Sequence, residues 1–291
     1  MEAVQANRRV RTRMASVQRP PVFWRVVGLF FGIVWLVVSF YPILYMLMTS
    51  LRSQQGFLVG NPWLPSTTSN LANYATVLQA NFGHYFLNSL IVSVVTVLLV
   101  VLFSILFAFV VVRTDNRVVR IVFQVFLVGL ALPIQAAIIP IYVMVSHLGL
   151  YDTLLGLILP SVAFGLPLTI LILVNFIRDV PKELYEAMQL EGATDFQVLR
   201  HLVIPVTRPA LVSVGIYDFV QAWNNFLFPL VLTQSDQSRV MPLAIVSFQG
   251  QYTINVPVIM AAVILSALPL ILAYIFGRRY LLQGMLAGFG K

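Results

Sequence analysis

Cysteine is absent from all 291 residues. That excludes disulfides, thiolate catalysis and Cys-based metal sites. The three histidines, His84, His147 and His201, stand far apart and form no HExxH-type spacing, so no zinc site and no other metal site is expected. Acidic side chains number only ten, and all charged residues together make up 10% of the chain. A soluble domain carries about a quarter. What the sequence has instead is apolar length. Hydrophobic residues make up 59% of the chain, and mean hydropathy is +0.91. Several runs reach the roughly 20 residues that a helix needs to cross a bilayer. The composition therefore indicates an all-α integral membrane protein.

Six spans are expected, at about 24–50, 88–112, 119–146, 156–177, 208–232 and 257–280. The first apolar run is too long for a cleaved signal peptide and lacks a small-residue cleavage site, so it reads as an uncleaved anchor. The net charge of +8 does not point to nucleic acid, because the cations sit at the edges of the apolar segments. Of the eighteen Lys and Arg residues, all but Arg52 and Arg239 fall in the N-terminal tail, the connections after spans two and four, or the C-terminus. By the positive-inside rule both termini are cytoplasmic. Residues 1–23 read as a basic cytoplasmic tail that touches anionic lipid headgroups. Segments 52–87 and 233–256 read as extracytoplasmic, and 24–291 as one transmembrane domain.

The loop 178–207 concentrates the scarce acids. Four of the ten, Glu183, Glu186, Glu191 and Asp195, lie in "PKELYEAMQLEGATDFQVLRHLVIPVTRPAL", residues 181–211. Pro181 suits a helix start. Leu184, Ala187, Met188 and Glu191 share one helical face. Gly192 suits a left-handed stop. Thr194 and Gln197 match a capping box that opens a second helix, expected to run to about Val203. Pro205 and Pro209 are expected to punctuate the start of the fifth span. Two short amphipathic helices in the cytosol either dock into a groove of a partner or lie on the headgroups.

The fifth span carries polar residues where they are costly: Asp218, Gln221, Asn224 and Asn225. Counted from Pro209, Asp218 lies roughly 13 Å in, near mid-membrane. Asp218, Gln221 and Asn225 follow an i, i+3, i+7 pattern, with Asn224 beside them. An acid at that depth marks a functional site by default. Tyr217, Trp223 and Phe226 would add aromatic surface beside it. The competing reading is that the asparagines join helices by hydrogen bonds. Gly28 and Gly32 form a GxxxG pair that could support a close helix contact. Pro133, Pro140, Pro167 and Pro269 are expected to kink their helices. "GFGK" at the end is not a phosphate loop, because its spacing and context fail. No nucleophile–base pair is present, which argues against an intramembrane enzyme. A stand-alone secondary transporter or channel would need a coupling-ion site and often inverted repeats. Neither is clear.

The 181–211 stretch resembles the EAA loop of ABC-importer membrane subunits, whose pattern is EAA, three residues, G, nine residues, I-x-LP. Glu186, Ala187, Gly192 and Pro205 match. Met188 replaces the second alanine, and Leu202 and Ile204 stand at the I and L positions. "YFLNSLIVS" (85–93), "LPIQAAIIPIYVMVSHLGLYDTLLGLILP" (132–160), "WNNFLFPLVL" (223–232) and "RRYLLQGMLAGFGK" (278–291) are similar to segments of carbohydrate-type permeases. The resemblance covers about residues 70–291 and points to the maltose-permease-like branch, second-subunit type. It implies a coupling helix that docks on a separate ATPase. It also implies a second permease subunit, two ATPase subunits and an extracytoplasmic solute-binding protein. ATP and Mg would bind the ATPase partners, with no cofactor on this chain. The setting implied is the cytoplasmic (inner) membrane of a bacterium or archaeon. The cargo implied is a sugar, a di- or oligosaccharide.

Overall fold

The computed structural model describes residues 21–61, 63–65, 71–248 and 254–289, with side chains described as far as Arg279. The basic tail up to residue 20, most of the turn-rich 60–70 segment and the final GFGK side chains lie outside the described residues. Every regular element among the described residues is helical. In chain order these are α1 (Val22–Ser50), α2 (Gln54–Val59), α3 (Ala72–Gln79), α4 (Phe82–Arg113), α5 (Arg117–Gly129), α6 (Ile134–His147) and α7 (Leu154–Arg178). Then follow α8 (Lys182–Leu190), α9 (Asp195–Val198), a π-helical turn (Leu199–Val203), α10 (Ile204–Trp223), α11 (Leu227–Leu232), α12 (Met241–Ser247) and α13 (Val256–Phe289). Among the described residues five helical segments are long and apolar enough to cross a membrane, or six if the bent pair α5 and α6 is one span.

The third span departs from the expected single helix over 119–146. It is two helices set at 110°. Each is about 20 Å long at 1.5 Å per residue, too short to cross a roughly 30 Å hydrocarbon core alone. Pro133 explains the break. It lacks an N–H, forces Leu132 out of the helical region, and becomes the N-cap of α6 instead of kinking a continuous rod. Pro140, Pro167 and Pro269 do stay inside their helices.

The fifth span departs in the opposite way at its start. Asp195–Trp223 is one helical segment of 29 residues, so Pro205 and Pro209 do not interrupt it. The π-helical turn absorbs the first proline. Ile204 N–H bonds to Leu199 O, five residues back, and this widens the backbone just before the residue that cannot donate. At its far end the span stops at Trp223 and resumes as α11, so 208–232 is two helices.

α4 and α7 form the central pair. A buried stripe on α4 (Ser89, Ser93, Thr96, Val100, Ser104) is made of small or hydroxyl side chains. Such residues let backbones approach closely where lipid offers no hydrophobic drive. Gly165 on α7 completes the approach, since a Cβ there would lie 2.9 Å from Val100 Cγ2. Three apolar clusters run along the bundle. One at the arginine-rich end joins Phe109 and Ile177 to Tyr185, Val198 and Val203. One in the middle joins Val100, Ile141 and Leu157 to Phe228 and Leu232. One at the opposite end gathers Val77, Tyr85, Trp223, Met241 and Ala261.

α1 is the exception. Its buried residues are Thr49 and Ser50, both in its last turn. Gly28 and Gly32 have nothing within 4 Å of a built Cβ, so the GxxxG pair makes no close contact among the described residues.

Candidate functional site

Two breaks in the helices meet at one cavity. The cavity measures about 450 Å³. Leu132 and Ile134 line it from the α5–α6 break, and Asn224, Asn225 and Phe226 from the α10–α11 break. Tyr217, Asp218 and Gln221 line it from α10, and Ser161, Phe164, Gly165 and Leu168 from α7. Irregular backbone at membrane depth is tolerated only inside protein or against a water-filled cavity. The half-buried Asn225 of the α10–α11 break fits that rule, whereas residues 130–133 of the α5–α6 break are exposed on this chain and reach the cavity through Leu132.

All five polar candidates of the fifth span, Tyr217, Asp218, Gln221, Asn224 and Asn225, thus fall on one cavity. They do so by a different geometry from the i, i+3, i+7 face. Asn225 lies past the helix end, in the break itself. The two asparagines close the cut helix ends. Asn224 Nδ2 donates to Val220 O at 3.0 Å, and Asn225 Oδ1 accepts from Phe228 N–H at 3.1 Å. They serve helix termini more than helix–helix joints, because a severed helix leaves carbonyls and amides without partners. Gln221 Nε2 donates to Tyr217 Oη at 3.3 Å.

Asp218 is 4% exposed, and Thr169 Oγ1 donates to its Oδ2 at 2.9 Å. Thr169 was not singled out in the sequence, though a signal exists. Ser161, Gly165 and Thr169 recur every four residues on α7 and so share one face. Thr96 on α4 also lines the cavity, and its buried Oγ1 has no hydrogen-bond partner. Trp223 does not line it. The ring is 2% exposed, its Nε1 donates to Ser266 O at 3.1 Å, and it packs on Phe86 and Phe219. Its place is in the core, while Tyr217 and Phe226 supply the aromatic surface.

The 181–211 element has the form its residues foretell. α8 ends in a Schellman motif, with Gly192 at φ +77°, Ala193 N–H on Met188 O and Gly192 N–H on Gln189 O. The capping box is complete. Thr194 Oγ1 accepts from Gln197 N–H, and Gln197 Oε1 accepts from Thr194 N–H at 2.8 Å. Tyr185 anchors α8 in the core and carries the Arg113 guanidinium 5.0 Å above its ring. Burial pushes the Tyr185 phenol above its usual range, and Arg113 partly offsets this.

Glu186, Ala187, Gly192 and Pro205 are exposed. Leu190 and Phe196 stand out as apolar side chains in the open, 89% and 66% exposed. Met188 instead packs half-buried against the core, so its bulk does not enlarge an outer face. The arrangement is a helix–turn–helix whose inner face packs on the bundle and whose outer face is exposed.

The opposite end holds two features that the sequence reading missed. Asn88 Nδ2 donates to Gln237 O at 2.8 Å and to Arg239 O at 2.9 Å, and Ser89 Oγ accepts from Met241 N–H. These are the Asn and Ser of "YFLNS". Asp152, at φ +60°, accepts from the Gln234 and Ser235 amides and from Ser238 Oγ. Burial alone would raise its pKa, but these donors outweigh it and hold the carboxyl down at about 2.

A bundle with two interrupted spans around a polar cavity, and a capped helix–turn–helix at its basic end, has the architecture of a membrane permease. The comparisons with known proteins agree. The family described as "Binding-protein-dependent transport system inner membrane component" matches residues 100–286, and this chain belongs to it. A putative ABC transporter permease protein of Caldicellulosiruptor sp. is 40% identical over 89% of this chain and 94% of its own length. A diacetylchitobiose uptake system permease protein of Streptomyces coelicolor is 34% identical over 85% of this chain and 83% of its own length. A trehalose/maltose transport system permease protein of Thermococcus litoralis is 30% identical over 93% of this chain and 98% of its own length. The fold is similar to a chain of a bacterial ABC transporter involved in import of the acidic polysaccharide alginate. That match has a TM-score of 0.78 at 20% identity, over 89% of this chain and 96% of the other. The protein is accordingly a permease subunit of a binding-protein-dependent ABC importer. It is a multi-pass protein of the bacterial or archaeal cytoplasmic membrane, and a transport component rather than an enzyme.

Proposed function

We propose that this chain forms half of a sugar translocation path, with the Asp218 cavity as its contribution. The observation that carries this reading is the convergence of both helix breaks on that cavity. Discontinuous helices create binding sites because their severed ends present unpaired polar groups at membrane depth. Tyr217 and Phe226 offer flat apolar faces for sugar rings. Gln221, Asn224 and Asn225 offer amides for hydroxyl groups. The uptake of diacetylchitobiose, trehalose and maltose by relatives supports a di- or oligosaccharide as cargo.

The cavity belongs to one subunit, and α1 has its apolar length unburied within the chain. Both features support a second permease subunit. The charge distribution supports cytoplasmic termini and a cytoplasmic 181–211 element. On this reading Glu186, Ala187, Gly192 and Pro205 form the ATPase-facing side of that element, and Met188 braces it from behind. Two ATPase subunits would bind ATP and Mg, and an extracytoplasmic solute-binding protein would deliver the sugar. ATP-driven closure of the ATPases would move the element as a rigid body and reopen the cavity outward.

The test is gentle isolation of the tagged chain from its native membrane, followed by reconstitution into vesicles with candidate oligosaccharides. The expected result is co-purification of a second permease and a P-loop ATPase, with uptake that depends on ATP and the binding protein. A lone homo-oligomer that carries solute without an ATPase would overturn the reading in favour of a channel or secondary transporter.

A further inference from the structure

A second cavity, of about 570 Å³, lies at the arginine-rich end of the bundle. It is enclosed by the last turns of α4 and α7, the first turns of α5, and one face of α8. Its charged lining is Arg113, Arg120, Arg178 and Lys182 against Asp115 and Glu186. Asp115 is already committed to Arg120, 2.5 Å away. Two further observations separate this cavity from an ordinary solvated ring of cations. Arg113 Nε is shielded from water and has no hydrogen-bond partner among the described residues, which leaves a buried donor without an acceptor there. Such a group costs stability unless something supplies the acceptor. The lining also has apolar side chains, Val111, Val119 and Phe123. It continues into α5, which has no buried residue and exposes Val118, Ile121 and Val125.

We propose that this cavity binds the headgroup of an anionic phospholipid, with its phosphate on Arg113, Arg178 and Lys182 and its acyl chains along α5. A lining that combines cations with apolar side chains, continuous with the exposed apolar residues of α5, matches a lipid better than a soluble anion, which has no use for the apolar part. Basic recesses between membrane helices are suited to anionic headgroups on electrostatic grounds. α8 supplies one wall through Tyr185, Glu186 and Gln189, so a bound lipid would stiffen the helix–turn–helix against the bundle.

The intact complex, as co-purified, is exposed to mixed vesicles of phosphatidylcholine and phosphatidylglycerol. Retained lipid is then read by native mass spectrometry. Wild type is expected to keep phosphatidylglycerol in preference to phosphatidylcholine. Arg113→Gln with Arg178→Gln should cut that preference about thirtyfold, at about fivefold per cation. Arg178→Lys should retain it, because the charge remains. If the double variant fails to assemble, Lys182→Gln, at an exposed position, should alone lower the preference about fivefold. Equal retention of the two lipids by the intact complex would overturn the proposal, and would mean that nothing anionic or a partner protein fills the cavity. An unchanged preference in the assembled variants would also overturn it. Displacement of phosphatidylglycerol by inorganic phosphate alone would assign the site to a free anion instead.

Discussion

Thr169 on α7 and Asp218 on α10 share a 2.9 Å hydrogen bond beside the cavity where both helix breaks meet. The pair binds two spans at the depth where an unpartnered carboxyl is most costly. Thr169→Val keeps the shape but removes the donor. It should destabilise the assembled protein by about 1–3 kcal/mol, read as a lower Tm in detergent. Asp218→Asn still accepts from Thr169, so assembly should survive while sugar uptake changes. A double-mutant cycle of Thr169→Val with Asp218→Ala should be non-additive, since the residues touch. Additive effects would mean that the bond contributes nothing.

Gly192 sets the angle between α8 and α9 with φ +77°. Gly192→Val forces a β-branched residue into the left-handed region, at about 1–2 kcal/mol. The element sits at the surface, so insertion and assembly should persist while ATP-driven uptake collapses. Normal uptake by this variant would remove the turn from the coupling mechanism.

Asn88 closes the opposite end through two carbonyls, Gln237 O and Arg239 O. Asn88→Ala removes both bonds and should cost about 2 kcal/mol at roughly 1 kcal/mol each. Hydrogen exchange at 237–241 should rise first, because those amides and carbonyls are held from α4 and not by their own helix.

Asp152 carries a pH dependence of known sign. Its folded pKa of about 2 lies below the ordinary 3.8. Its contribution to stability is therefore complete above 3.8 and is lost as pH falls through about 2. Asp152→Asn should flatten the acid limb of a Tm-versus-pH curve over that window and lower Tm at neutral pH. An unchanged curve would show that the loop 234–238 is held by other means.

Much of this was written locally in the chain. The apolar runs place the helices in a membrane, because lipid leaves a backbone no other partner than itself. The Schellman glycine Gly192 and the Thr194–Gln197 capping box are formed from residues at most five apart, so adjacent side chains decide them. Asp218, Gln221 and Asn225 were also legible as a costly polar group at depth. Local pattern failed where a distant partner changes the cost of a break. Pro133 and the Asn224–Asn225 pair interrupt spans that hydropathy reads as continuous, and Pro205 leaves one unbroken that proline alone would end. Both interruptions place residues on the same cavity, Leu132 from one and Asn224 and Asn225 from the other, which no local pattern could show. Trp223 was drawn into the core by Ser266, 43 residues away, and Asn88 and Asp152 found their loop partners across more than 80 residues. The sequence by itself determined the solvent, the all-helical class and the capped helix–turn–helix. Which polar residues face the cavity, and which close helix ends or loops, was decided by tertiary packing, because burial and hydrogen-bond partners are properties of neighbours in space.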